Sequence, residues 1–180
     1  MESNIINESI KSVDPTIIKK PNQLKKEVVN LLNTRLGDEY TAYYFYRSAA
    51  NWCHNIGYKK AAVFFDGEAA AELEHGLKIQ NYLTDWDCLP VIPKVETVHA
   101  FENLAQVIVE AYDMEYNLLT AYNETSRVIF GIDFNTFDFL KFYRDTQVGE
   151  VTEYSDLLNA LQLINPENNF ELLYFEQTYF

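Results

Sequence analysis

The sequence predicts an all-α protein: an antiparallel four-helix bundle with one long crossover between its second and third helices and a short C-terminal segment that could form a fifth helix. Three observations carry this. Four long apolar stripes step by threes and fours, the period of a helix with one buried face. Tyr (13) and Phe (12) are abundant while Gly (6) and Pro (5) are few, a balance that suits long helices over a turn-rich β fold. Finally, carboxylates interrupt every stripe, at heights that match across the expected turns. The 180 residues suit one domain. The bundle is expected over 24–165, after an N-terminal extension at 1–23 and before a C-terminal segment at 166–180.

The extension mixes Asn, Ser, Lys and Ile with Pro15 and Pro21 and holds no sustained period. The first stripe follows Pro21-Asn22 and reads Leu24, Val28, Leu32, Leu36, Glu39, Tyr43, Tyr46 and Ala50, with a break expected at His54 to Gly57. The second reads Ala61, Phe65, Glu68, Glu72, His75, Ile79 and Tyr82. From Thr84 to about Val98, Pro90 and Pro93 interrupt a stretch without helical period, long enough to run the length of a bundle. The third stripe, Leu104 to Ile129, is interrupted by Glu115 alone, and Gly131-Ile132-Asp133 closes it. The fourth begins near Phe134 to Thr136 and runs to Ile164, with Gln147 and Glu150 at its centre. Beyond Asn165-Pro166 the tail is dense in Phe, Leu and Tyr and is expected to dock.

A formal net charge of -13 argues against a nucleic-acid surface and is compatible with handling cations. The only cysteines, Cys53 and Cys88, form no CxxC pair, so no disulfide framework or thiolate zinc site is indicated and a reducing, cytoplasmic setting is expected. No stretch has the length of a membrane span, and residues 1–22 lack the pattern of a secretory signal; no membrane partner is expected.

The polar interruptions can be checked by arithmetic. Glu39 and Glu72 have their midpoint between residues 55 and 56, at the first turn; Glu115 and Glu150 have theirs between 132 and 133, inside the last. Each pair therefore faces across its hairpin, about 25 Å from the turn at the 1.5 Å helical rise. Glu72 and His75, three apart, share one helix face. An isolated Glu-x-x-His is ordinarily a pair of surface residues, but four carboxylates gathered in a bundle interior cost several kcal/mol each, by order of magnitude, unless protonated or neutralised by metal. Glu39, Glu72, His75, Glu115 and Glu150 are the expected ligands, with Gln147 beside them, and the pattern is that of a dinuclear carboxylate centre. One imidazole among carboxylates suits iron, although Mn²⁺ or Zn²⁺ could use the same ligands. Tyr46, on the face of Glu39, is either core or a phenol bonded to a site carboxylate. Glu68 and Glu74 are expected at the bundle edge or in solvent, and His54 and His99 on the surface.

At these positions the chain resembles a ferritin of the non-haem bacterial type. The resemblance covers roughly residues 24 to 165. It rests on Glu39 with Tyr46 and Trp52-Cys53; on Glu72-x-x-His75 followed by Tyr82-Leu83-Thr84-Asp85 and Leu89-Pro90; on Glu115; and on Phe137-Asp138-Phe139-Leu140 leading to Gln147-x-x-Glu150. It implies that Glu39, Glu72 and His75 bind a first iron, and that Glu72 bridges to a second held by Glu115 and Glu150. Gln147 would hydrogen-bond species at the open positions, and Tyr46 would stand beside the centre. It further implies two iron ions per subunit, oxidation of Fe²⁺ to Fe³⁺ by dioxygen or hydrogen peroxide, mineral storage, and a homo-oligomeric cage of 24 subunits. The carboxylates of the third iron position found in such ferritins are replaced by Ala71, Thr146 and Gly149, and the family's tryptophan on the fourth helix by Phe142. No haem is expected, since Met114 is the only internal methionine and adjoins Glu115. Two other readings stay open: a metal-binding shell protein with slow or no turnover, motivated by the missing third-site carboxylates, and a di-iron redox enzyme that forms no cage, motivated by the unusual termini.

Overall fold

The computed structural model describes residues 24–95 and 100–180; the predicted extension at 1–23 and His99 lie outside these. Five helices form, and the described residues contain no strand: α1 Lys26–Ile56, α2 Lys59–Asp85, α3 Leu104–Phe130, α4 Phe134–Leu161 and α5 Asn169–Tyr179. The expected all-α bundle with a long crossover is thus the observed fold, and the C-terminal segment does form a fifth helix.

Local chemistry sets most of the ends. Gly57, at φ +110°, donates its N–H to the Cys53 carbonyl at 3.0 Å and stops α1. The helix continues through His54–Ile56, where the sequence predicts the break; the left-handed residue alone marks the end. Asn103 caps α3 by accepting from the Gln106 N–H at 2.9 Å, and Gln106 Oε1 accepts from the Glu102 N–H at 2.7 Å. Asp133 caps α4 through the Thr136 N–H at 2.7 Å. At its far end α4 stops at Leu161, short of Ile164, because the chain tightens into bonds from Leu163 N–H to Ala160 O and from Ile164 N–H to Leu161 O ahead of Pro166.

The crossover runs along α1. The Val91 N–H donates to Asn33 Oδ1 at 2.8 Å, and Phe101 packs edge-on against Phe45 and Trp52, with centroids 5.6 and 5.9 Å away. Asn33 and Trp52 are nineteen residues apart, so this segment climbs about 28 Å of helix. It delivers α3 to the same end of the bundle as the start of α2. Antiparallel registers follow. On α1 and α3, Arg35 meets Thr125, Glu39 meets Tyr122 and Tyr46 meets Glu115. On α2 and α4, Glu68 meets Tyr154, His75 meets Tyr143 and Tyr82 meets Thr136. The two hairpins therefore hold their polar residues at one height, which the sequence could not prove.

α5 closes the end of the bundle near the α1/α2 turn. Nothing local caps α2, whose N-cap residue Tyr58 makes no side-chain bond. Instead the fully buried Glu176 of α5 accepts from the N–H groups of Lys60 and Ala61 at 2.6 and 3.1 Å. A carboxylate at a helix N-terminus satisfies orphan donors and meets the positive end of the dipole. Leu172 and Phe175 are buried alongside it, and Phe180 packs on Phe64 and Phe65 at 5.1 and 5.7 Å.

Candidate metal centre

Glu39, Glu72, Glu115 and Gln147 are at most 1 % exposed and His75 is 7 % exposed, in the middle of an otherwise apolar interior. They are inward because their helical phase is that of the neighbouring Leu, Tyr and Ala residues. Two overlapping groups result, Glu39 with Glu72 and His75, and Glu72 with Glu115 and Glu150; in each, one donor atom per residue lies within 4.8 Å of the others. Glu72 belongs to both. That is the geometry for two cations sharing one carboxylate.

The hydrogen bonds leave ligand atoms free. Tyr122 donates its hydroxyl to Glu39 Oε1, and Tyr46 donates to Glu115 Oε1. Gln147 Nε2 donates to the remaining oxygen, Glu115 Oε2, at 2.5 Å. His75 Nδ1 stands 3.3 Å from Glu72 Oε2 and 3.4 Å from Glu39 Oε2. Glu39 Oε2 and Glu150 Oε2 are nonetheless buried without a hydrogen-bond partner. Buried carboxylate oxygens without partners are costly, and a cation satisfies both, so these residues fit a pair of divalent ions.

Protonation tells the same story. Burial, then the neighbouring charge of Glu39, hold the Glu72 carboxyl well above the usual carboxylate range. Glu115 is pushed up to about 7 by burial, against the bond from Tyr46, which favours its charged form. Glu150 is pushed up to about 9 by burial and then by the charge of Glu115. Without cations the cluster keeps protons near neutrality; cations would displace them.

A family model described as a ferritin-like domain matches residues 29–164. The chain belongs to the ferritin family. It is 29% identical over 146 residues to a probable bacterial non-haem ferritin-like protein of Haemophilus influenzae, covering 80% of this chain and 88% of that one. It is 28% identical over 148 residues to a bacterial non-haem ferritin of Campylobacter jejuni, covering 81% and 89%. In fold it is similar to an open-pore ferritin of the archaeon Archaeoglobus fulgidus, with a TM-score of 0.80 at 24% identity over 86% of this chain and 95% of that one.

For this member of the family the structure brings together all the residues that spacing singled out, and adds two. Tyr122 is fully buried and bonded to Glu39. Its signal was in the sequence: Tyr122 follows Glu115 by seven residues, as Tyr46 follows Glu39. Each phenol serves the carboxylate of the other helix. Glu68, expected at the edge, stands half-buried at the rim of the centre, where its Oε2 accepts from the Tyr154 hydroxyl at 3.3 Å. Burial and then the charge of Glu153 push its carboxyl up to about 7. Glu74 and His54 are exposed, as expected, and Glu74 pairs with Lys78 at 3.4 Å. At Gly149 an added Cβ would meet nothing within 4 Å, so the space beside Glu150 is open.

Proposed function

We propose that this chain is an iron-storage protein with a dinuclear ferroxidase centre, acting in the cytoplasm within a homo-oligomeric cage of 24 subunits. The observation that carries the reading is Glu72, shared by two three-residue ligand groups inside the bundle of a ferritin-family chain. Glu39, Glu72 and His75 would hold one Fe²⁺ substrate ion, and Glu72, Glu115 and Glu150 the other. Four carboxylates and a neutral imidazole balance the four charges of two Fe²⁺ ions. Iron supplies the electrons with which dioxygen or peroxide is reduced.

The chain's part is placement and proton handling. Tyr122 and Tyr46 fix the orientation of Glu39 and Glu115, which leaves Glu39 Oε2 free while Glu115 Oε2 is held by Gln147. Gln147 has an amide that can donate or accept at the open side of Glu115. Tyr143 donates to the His75 carbonyl at 2.9 Å and braces the helix turn that carries the imidazole. Bulk water is kept from Glu39 and Glu115, while half-buried Glu150 leaves the α2/α4 side as the approach. The test is aerobic Fe²⁺ addition followed by ferric absorbance, with particle mass from light scattering on the same sample. Rapid oxidation by the parent, at least tenfold slowing in Glu72→Ala and His75→Ala, and a particle near 24 chains of 21.0 kDa are expected. Equal rates in parent and variants would remove the assigned centre, and a dimer would remove storage.

A further inference from the structure

A continuous run of aromatic rings leaves the centre on the Glu39 side. Tyr122, whose hydroxyl donates to Glu39, stacks on Tyr143 with centroids 4.8 Å apart and planes 12° apart. Tyr143 meets Phe139 edge-on at 5.5 Å. Phe139 stacks on Tyr82 at 4.0 Å and 13°, and Tyr82 meets Trp86 at 6.3 Å. Trp86 is half-buried, just past the end of α2. The run thus begins at a hydroxyl on a proposed ligand and ends at the surface in an indole, the side chain that gives up an electron most readily among these. The run from Tyr46 is different. Tyr46 stacks on Tyr154 at 6.0 Å, beyond which lie Phe64 and Phe180, and it is joined to Trp52 across two phenylalanines in succession, Phe45 and Phe101, at 5.3, 5.6 and 5.9 Å; phenylalanine is not oxidised under such conditions.

We propose that Tyr122, Tyr143, Tyr82 and Trp86 form an electron relay that discharges unpaired oxidising equivalents from the centre at Trp86. The relay rests on the ferroxidase reading above. Its use arises when hydrogen peroxide meets a centre holding one Fe²⁺. A single electron would split peroxide into hydroxide and a hydroxyl radical; two electrons split it safely. Fe²⁺ gives one and the relay gives the other, so the O–O bond breaks to two hydroxides. Tyr122 loses its electron to the centre and its proton to Glu39, then regains both as the vacancy passes through the rings to Trp86. The indole N–H proton reaches solvent and neutralises one hydroxide. The balance is one Fe²⁺, one Trp86 and one hydrogen peroxide giving Fe³⁺, the neutral Trp86 radical, one hydroxide and one water. Phe139 serves as the contact between Tyr143 and Tyr82 and is not itself oxidised.

The chain contains its own comparison, because the other tryptophan, Trp52, is also half-buried but is separated from Tyr46 by two phenylalanines, Phe101 and Phe45, where the single Phe139 separates Tyr143 from Tyr82. Full-length protein is loaded anaerobically with one Fe²⁺ per chain and mixed with one equivalent of hydrogen peroxide. Samples are frozen within milliseconds for electron paramagnetic resonance, and parallel samples are digested for mass spectrometry. Expected are a protein radical and at least fivefold more oxygenation of Trp86 than of Trp52. Tyr82→Phe, which keeps the ring and its stacking, should bring that ratio near one while oxidation by dioxygen proceeds at the parent rate. Trp86→Phe should leave a radical of tyrosine character. Equal oxygenation of the two tryptophans in a parent that oxidises iron overturns the relay alone, and so does an unchanged ratio in Tyr82→Phe. A parent that oxidises no Fe²⁺ overturns the ferroxidase reading and the relay with it.

Discussion

Glu150→Gln is expected to stabilise the metal-free protein at alkaline pH while crippling metal binding. In the folded chain the Glu150 carboxyl is raised from 4.5 to about 9, first by burial and then by the charges of Glu115 and Glu39. Between those values the folded state holds a proton that the unfolded state has lost. Stability therefore falls as pH rises through this window, and the full penalty is present above about pH 9. At pH 8 the span is about 3.5 units, or about 5 kcal/mol at 1.36 kcal/mol per unit. Glutamine removes the titration but leaves a buried amide, whose imperfect bonding costs about 2 kcal/mol. Its nitrogen takes the place of the protonated oxygen facing Glu115. The net gain is about 3 kcal/mol, equivalent to roughly 10 °C in a chain of this length. The assay is thermal unfolding of chelator-treated parent and variant at one heating rate, at pH 5, 6.5 and 8. The variant should lead by roughly that margin at pH 8, the gap should close near pH 6, and at pH 5 the variant should be the less stable by about 1 kcal/mol. Saturating Zn²⁺, a redox-inactive probe, should reverse the order at pH 8. A gap independent of pH, or a less stable variant at pH 8 without metal, would refute the claim that trapped protons set this cluster's energetics.

Three other outcomes follow from the same geometry. Tyr122→Phe leaves Glu39 without its donor and should weaken Zn²⁺ binding at the Glu39, Glu72 and His75 group by about tenfold, the usual cost of losing a bond behind a ligand, read by competition with a chromophoric chelator. Zn²⁺ binding should release at least one proton per chain at pH 8 and about one more at pH 6, since Glu150, raised to about 9, holds a proton at both and Glu115, raised to about 7, holds one only at the lower; calorimetry in two buffers of different ionisation enthalpy measures it. Glu176→Ala strands the Lys60 and Ala61 N–H groups and should cost about 2 kcal/mol, with faster hydrogen exchange confined to the start of α2 and to α5.

The period of the stripes was enough to expose the four long helices, because every inward position had to be apolar or to carry chemistry, and the exceptions Glu39, Glu72, Glu115 and Glu150 stood out against Leu and Tyr. Hairpin symmetry then placed them in pairs. The relative height of the two hairpins was not legible, since a crossover with Pro90 and Pro93 fixes a length and no register; contacts of Val91 with Asn33 and of Phe101 with Trp52 set it. Tyr122 stayed hidden because a tyrosine on an apolar row reads as core until its hydroxyl has a partner. Glu68 stands at the edge, as its position on the stripe suggests, but half-buried there, because its partner, Tyr154, comes from a distant helix. α5 was uncertain for a related reason. Its stability comes from Glu176 reaching the end of α2, and such a bond leaves no mark on local periodicity.

On the proposed assignment, charge alone gives the centre a direction. Four carboxylates neutralise two Fe²⁺ ions, but two Fe³⁺ ions leave two positive charges without protein counter-charge. Water-derived hydroxide must then accompany the product, and hydrolysed ferric iron is poorly matched to a closed, dry site. Relatives with a third iron position would have carboxylates ready beside the pair, but here Ala71, Thr146 and Gly149 offer none. A carboxylate does remain at the rim, Glu68, which lies on α2 and faces α4. Glu39 and Glu115 are sealed by Tyr122 and Tyr46 on the α1/α3 side, so departure past Glu150 and Glu68 is the path with the least protein to move. On this assignment the lack of carboxylates at Ala71, Thr146 and Gly149 makes release, more than oxidation, the step at which this chain should differ from relatives that carry them.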